Sequence, residues 1–374
     1  MVKHLFVPQS LIGRSIEMQQ ISQILAKDGD FLLVSAPGNG RRTLIQATAQ
    51  QLGVRVIEID CLRTTSANRF LQLLADGITA IFTLPTELAL IERWSHDQPV
   101  VLEQIPFQHP RLVWHPAANS EWAVFEALLA LPQRMAEWLD CRVLIVFLNF
   151  PHIRSWDRSG QWEDYLRQEI QRQSRVSYAL VATVAEPWMQ DSNLQSITLP
   201  PLEDQDIQDW LIPTLAAEGL RFDPNQSALE LFLSYVQGHL GDAIALARRI
   251  WLDRYAFVGL KETGAAEHST SDLLIQAHHV HRSILALVED LAPTFESLIL
   301  LLPPSQVRVL ESLALDPTDK PHARDYIQKH QLSRGGGLQG ALSSLEQKGL
   351  VYGAKYGYRI VMPFLAFWLK QRLS

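Results

Sequence analysis

Five short apolar runs, at residues 31–34, 54–59, 143–147, 178–183 and 196–199, alternate with helical patterns at 15–25, 44–52, 67–82, 121–139 and 162–173. Runs this apolar and this rich in branched side chains suit strands buried on both faces. Strand alternating with helix predicts a parallel sheet with helices on both sides. Pro200-Pro201 ends the alternation. Only helical patterns follow, at 204–218, 226–237, 241–251 and 271–290, punctuated by Pro224-Asn225 and Gly238. Residues 258–270 read as an exposed polar loop, and 95–118, with Pro99, Pro106, Pro110 and Pro116, as an irregular insertion before the third strand.

Pro303-Pro304 opens a further unit. Helices are expected at 305–315, 322–330 and 338–348, with Gly335-Gly336-Gly337 as a turn before the last. Residues 350–352 and 358–361 alternate around Gly353 and Gly357 as a hairpin would. Three helices followed by a hairpin is the order of a winged helix-turn-helix, and an aromatic-rich helix at 363–373 closes the chain. The expected division is 1–200, an α/β domain; 201–300, a helical domain; and 301–374, the winged helix. A chain of 374 residues has room for two or three cores.

The net charge of -7 argues against a wholly basic nucleic-acid coat. Residues 301–374, however, hold ten Lys/Arg against five Asp/Glu, a basic excess compatible with a nucleic-acid contact. Cys61 and Cys141 form no spacing motif, which suggests a reducing compartment or simply no need for disulfides. The first residues show no secretion signal, and the apolar runs 143–150 and 298–302 are too short to span a bilayer. The expectation is a cytoplasmic protein without a membrane attachment.

The chemistry concentrates in Ser35-Ala36-Pro37-Gly38-Asn39-Gly40-Arg41-Arg42-Thr43, between the first strand and the following helix. Strand, glycine-rich turn and helix is the context of a phosphate-binding loop. Backbone N–H groups and the helix N-terminus can then face an anion. The usual lysine position holds Arg41, the usual Ser/Thr metal position holds Arg42, and the loop is one residue short. A one-residue slip would bring Thr43 to the metal position and Arg42 to the lysine position, at the cost of the tight glycine. Arginine is itself a bidentate phosphate ligand, so anion binding can survive the exchange. His278 and His281 could share a helical face, but no further ligand cluster has metal spacing nearby, and a polar helix surface is the favoured reading.

The order of these stretches resembles the STAND branch of the AAA+ ATPases, in particular the predominantly archaeal ATPases. Leu11-Ile12-Gly13-Arg14-Ser15-Ile16-Glu17 resembles the family's opening box, and the loop follows at the family's distance. Residues 62–71 resemble the segment after the second strand, and 201–206 the entry to the helical lid. Gly238-His239-Leu240-Gly241 stands at the sensor turn, and 307–368 is similar to the family's winged helix. The resemblance implies an AAA+-like P-loop α/β domain, a helical lid and a winged helix, with ATP or ADP as ligand. Gly13, Arg14, Ala36, Pro37, Gly38, Asn39, Gly40, Arg41, Arg42 and Thr43 would then bind nucleotide. Thr183 stands at the sensor position or is simply a β-branched strand residue.

Family members also carry an acidic pair where this chain has Leu148-Asn149. Leucine cannot help hold Mg²⁺, and asparagine cannot take a proton from water. With Arg42 at the metal position, magnesium lacks its ordinary ligands and no catalytic residue is assigned. The expectation is ATPase ancestry with hydrolysis very slow or absent, in a regulatory or scaffolding protein. An ATPase switch with an atypical loop and a nucleotide-free interaction protein are the alternatives. Output would pass through the winged helix to DNA or to a protein partner, and self-association is also open to such a chain. Arg334, Gln339, Ser343, Gln347, Lys348, Lys355 and Arg359 are the DNA-facing candidates.

Overall fold

A computed structural model describes residues 6, 8, 11–105, 107–114, 120–170, 172, 174–185, 194–257, 273–333 and 335–373. The chain divides into two compact units, one of Arg14–Ser35 and Arg41–Leu199, the other of Met1–Gly13, Ala36–Gly40 and Pro200–Ser374. The expected 258–270 loop and Arg334 lie outside the described residues.

The first unit is built on β1 (Phe31–Ser35), β2 (Arg55–Asp60), β5 (Val143–Leu148), β6 (Val176–Ala182) and β7 (Gln195–Leu199). They form one sheet in the order β2-β5-β6-β1-β7, every pair parallel. Strands β5 and β6 are buried along their whole length, which explains runs without alternation. The flanking helices are α1 (Ser15–Leu25), α2 (Arg41–Gln51), α3 (Ala67–Ile81), α4 (Pro85–Ser95), α5 (Glu121–Leu139) and α6 (Gln161–Glu169). Phe70 of α3 stacks on Phe147 of β5 with ring centroids 6.0 Å apart, and Phe125 of α5 meets Trp162 of α6 at 4.5 Å. Trp156 donates from Nε1 to Thr64 Oγ1 at 3.0 Å. These contacts tie the chain just beyond β2 to the chain just beyond β5.

Within the 95–118 insertion, β3 (Val101–Glu103) and β4 (Arg111–Val113) pair antiparallel, where sequence reading expected no regular structure. Three-residue strands with only Leu102 and Leu112 facing inward leave almost no periodic signal.

In the second unit the helices Asp204–Ala216, Ala228–Val236, Leu240–Phe257 and Ala277–Leu300 follow one another. The helix expected at 271–290 begins later and runs longer. Its first residues are instead a short strand, Leu273–Ile275, parallel to Leu220–Phe222. Then come helices Pro304–Leu315, Arg324–Lys329 and Gly336–Gln347, an antiparallel pair Val351–Tyr352 and Arg359–Ile360, and the closing helix Pro363–Leu373. This is the winged helix-turn-helix order read from the sequence. Leu246, Ile284, Leu310, Leu342 and Leu365 lie in one continuous apolar core, shared by the described residues of the helical region and the winged helix.

Candidate functional site

Parallel pairing brings the C-terminal ends of four strands to one edge of the sheet. Asp60 stands opposite Leu148, Phe147 opposite Leu180, and Val34 opposite Ala182. Ser35, Asp60, Asn149 and Thr183 therefore end or follow neighbouring strands on the same side. Ligand sites in open parallel sheets form outside such carboxyl ends.

Arg41 is the first residue of α2, and its side chain turns back to this edge. Nη2 donates to Asn149 Oδ1 at 2.6 Å, and Nη1 donates to the Ser35 carbonyl at 3.4 Å. Asn149 Nδ2 in turn donates to Asp60 Oδ1 at 2.9 Å. The same Asp60 oxygen accepts from the Leu62 N–H at 3.1 Å, capping the short 3₁₀ turn after β2. An amide can accept from a guanidinium and donate to a carboxylate at once, whereas a carboxylate can only accept. Asn149 also sits in the left-handed region, with φ +54°, which asparagine tolerates better than most residues. Burial pushes the Arg41 guanidinium below its ordinary range, and the nearby Asp60 charge opposes that shift.

Arg42 points elsewhere. Its Nε and Nη2 meet the Glu58 carboxylate at 2.8 and 2.7 Å, on an exposed part of the helix. Thr43 is exposed. Arg14 is buried and pairs with Glu17 at 3.1 Å, which gives the opening box a structural reason for its Arg-x-x-Glu spacing. Neither Asp60 nor Glu58 stands out in the sequence. Acidic residues late in a strand were the available signal, since the strand-end edge is where the loop begins.

The turn Ala36–Gly40 belongs to the other unit and is held there from two sides. His239 Nε2 donates to the Pro37 carbonyl at 3.1 Å, and the Gly241 N–H donates to the Gly38 carbonyl at 3.2 Å. A Cβ on Gly38 would lie 2.0 Å from His239 Nε2, and φ there is +88°. Glycine is required at 38 by the histidine ring as well as by the backbone. His239 Nδ1 lies 3.0 Å from Asp242 Oδ1, and Asp242 Oδ2 accepts from the Phe364 N–H at 3.1 Å, at the start of the closing helix. Burial works against the charge on His239, but the Asp242 carboxylate and the Pro37 carbonyl outweigh it and raise the imidazole pKa.

On the second side, Asn39 is buried and donates from Nδ2 to the Tyr352 hydroxyl at 3.4 Å. Its Oδ1 is buried without a hydrogen-bond partner. Ala36 packs with Tyr352, Tyr356 and Val361. The wing of the winged helix is thus seated on the glycine turn. Gly13, in the same unit, has φ +52° and approaches Asp206 so closely that a Cβ would fall 2.3 Å from its Cγ.

The DNA-facing candidates occupy different settings. Gln339 and Gln347 are exposed on the helix Gly336–Gln347, and Gln339 donates to Ser343 Oγ at 3.2 Å. Lys348 Nζ donates to Gln306 Oε1 at 2.7 Å. Lys355 lies over the Tyr356 ring and Arg359 over the Tyr352 ring, at 5.4 Å in each case. His281 Nδ1 meets the Tyr235 hydroxyl at 2.7 Å, and His279 Nδ1 accepts from the Gln276 N–H at 3.1 Å. Among the described residues no group of three His, Cys, Asp or Glu side chains is placed to hold a metal ion. No helix among them is long and apolar enough to cross a membrane.

Residues 293–371 match the sequence family described as "Probable winged helix domain". No curated protein matches the sequence. Among solved structures, the Walker-type ATPase PABY2304 of Pyrococcus abyssi is similar over 99% of both chains, with 13% identity and a TM-score of 0.65. The ORC2 protein of Aeropyrum pernix, in ADPNP-ADP complexes, is similar over 99% of this chain and 97% of its own, with 13% identity and a TM-score of 0.55. Its ADP form gives 12% identity and a TM-score of 0.52 over 100% and 97%. The chain therefore has the fold of the AAA+ ATPases, with a parallel α/β sheet, a helical region and a C-terminal winged helix.

Proposed function

We propose that this protein binds the phosphate chain of ATP or ADP at the segment from Ser35 to Thr43, hydrolyses it slowly or not at all, and serves as a regulatory or scaffolding protein. The observation that carries the reading is the setting of Arg41. Its guanidinium is drawn out of water onto two neutral acceptors, the Ser35 carbonyl and Asn149 Oδ1. The nearest opposing charge, Asp60, stands behind Asn149. A cation desolvated in this way and not directly paired gains from an incoming anion. The α2 N-terminus starts at the same residue and adds its own positive partial charge. That the similar ORC2 structures are described as ADPNP-ADP and ADP complexes supports the choice of ligand.

The loss of hydrolysis rests on Leu148 and Asn149. No carboxylate follows β5 to activate water, and the amide of Asn149 is committed to Arg41 and Asp60. Output through the winged helix is supported by Tyr352, which joins the wing to Asn39 of the glycine turn. The wing already has an intramolecular partner, so the exposed helix Gly336–Gln347 is the surface we assign to DNA or to a protein partner. The helix itself carries no Lys or Arg, and Lys348 caps its C-terminal end, so any DNA affinity should be weak.

One observation favours a nucleotide-free structural role instead. Ala36, Pro37, Gly38 and Asn39 all have protein partners, which is how a purely architectural turn would be built. Thermal melting of the full chain with millimolar ADP or ATP separates the two. Ligand binding raises the melting temperature by mass action, whereas an unchanged melting temperature contradicts the nucleotide reading.

A further inference from the structure

AAA+ ATPases use Mg²⁺ beside the phosphate chain, so the residues at this sheet edge can be tested for fit to that ion. Mg²⁺ needs near-octahedral oxygen ligands, usually one or two carboxylates or hydroxyls together with phosphate and water. The edge offers a poor set. Asn149 Oδ1, the side-chain oxygen closest to where a strand-end acid would stand, is taken by the Arg41 guanidinium at 2.6 Å. Asp60 Oδ1 already accepts from both Asn149 Nδ2 and the Leu62 N–H. The side chain that follows Arg41 on α2 is a second arginine, tied to Glu58.

The donor set thus suits a different counter-charge. We infer that this edge takes a phosphate chain without a divalent cation, and that the Arg41 guanidinium supplies the positive charge Mg²⁺ would otherwise bring. Asn149 is the enabling residue. Asparagine holds the guanidinium by a neutral oxygen and leaves its charge for the ligand. An aspartate there would neutralise the arginine and would also face the Asp60 carboxylate across a 2.9 Å contact. The arginine at 41 and the asparagine at 149 are therefore one coupled arrangement, in which the metal's usual protein partners are replaced together. This inference rests on the reading that a nucleotide binds at this segment, and it fixes the ionic form of that nucleotide.

The test is equilibrium binding of ADP to the full chain by calorimetry, in EDTA and then in excess Mg²⁺. ADP should bind in EDTA at least as tightly as with Mg²⁺. Arg41→Lys, which keeps a charge but loses the planar fork, should weaken binding in EDTA by about tenfold. Its melting temperature without ligand shows whether the variant is folded. Should Arg41→Lys fail to fold, Asn149→Asp gives the second reading, with weaker binding in EDTA expected. Binding that requires Mg²⁺ overturns the inference and leaves the nucleotide reading standing. Binding under neither condition overturns both.

Discussion

Asn149 Oδ1 accepts from Arg41 Nη2 at 2.6 Å, so the residue that replaces a strand-end acid is the same residue that holds the arginine at the lysine position. The two departures, 108 residues apart in sequence, meet at one hydrogen bond. Asp60 completes the chain from the far side of the amide. The order cation, amide, carboxylate satisfies each group without placing two like charges together.

Exchanging the last two members tests that order. Asn149→Asp alone should lose stability, because the new carboxylate cannot donate to Asp60 and repels it. Adding Asp60→Asn restores a donor and should recover most of the loss. A coupling of roughly 1–3 kcal/mol is expected between the two changes. Urea denaturation of the wild type, both single variants and the double variant measures it, and strictly additive losses would contradict the arrangement.

Gly38 should tolerate no side chain while His239 is present. Gly38→Ala places a methyl group 2.0 Å from the imidazole at a positive φ. Strain and displacement together should cost about 1–3 kcal/mol. Combining it with His239→Ala should remove the steric part and leave only the backbone part. The melting temperatures of the four proteins resolve the two contributions.

Two buried histidines, His239 and His279, should bend the pH–stability curve in opposite directions. His239 has a raised folded pKa, because Asp242 and the Pro37 carbonyl favour its charged form. Its contribution is complete below the unfolded value of about 6.5 and fades as pH rises through the higher folded value. His239→Gln should therefore remove a decline in stability that sets in as pH rises above about 6.5. His279 behaves conversely. Desolvation, with His278 and Arg282 nearby, pushes it down to about 4, and its Nδ1 accepts an N–H, which requires the neutral ring. Its contribution is present above about 6.5 and is lost as pH falls towards the folded value. His279→Gln should flatten that acid-side decline. Chemical denaturation of both variants across pH 4 to about 9 checks the signs.

Tyr352→Phe should cost about 0.5–1.5 kcal/mol, since it removes the acceptor of the buried Asn39 amide while keeping the packing on Ala36. Tyr352→Ala should cost more, through a cavity beside Ala36, Tyr356 and Val361. A Phe variant no weaker than wild type would mean that Asn39 finds another partner, and hydrogen exchange at the glycine turn would locate it.

The sheet was legible because strands such as 143–148 are buried on both faces and carry an unbroken apolar signal. The winged helix was legible because its glycines and alternating residues fall between periodic helices. The β3–β4 pair was not, since one inward residue per strand gives no period. The loop itself could be read, but its partners could not. His239 and Tyr352 touch the glycine turn, and Asp60 holds Asn149, through contacts between residues distant in sequence, and nothing local marks a strand-end aspartate or a wing tyrosine as different from its neighbours. Arg41 and Asn149 were each read as a departure. That they bind one another is a fact of the parallel register, which places the end of β5 within reach of the start of α2.

Retention of nucleotide with slow turnover or none is the property proposed for this chain. Its most direct test is to incubate the full chain with labelled ATP, isolate the protein by rapid filtration, and identify the retained nucleotide after several hours, long beside even the slow intrinsic turnover of about 10⁻⁴ to 10⁻² s⁻¹ of unassisted GTPases. Label is expected on the protein, still as triphosphate, with little free phosphate released. Retained diphosphate with continuing phosphate release, or no retained nucleotide at all, would contradict it.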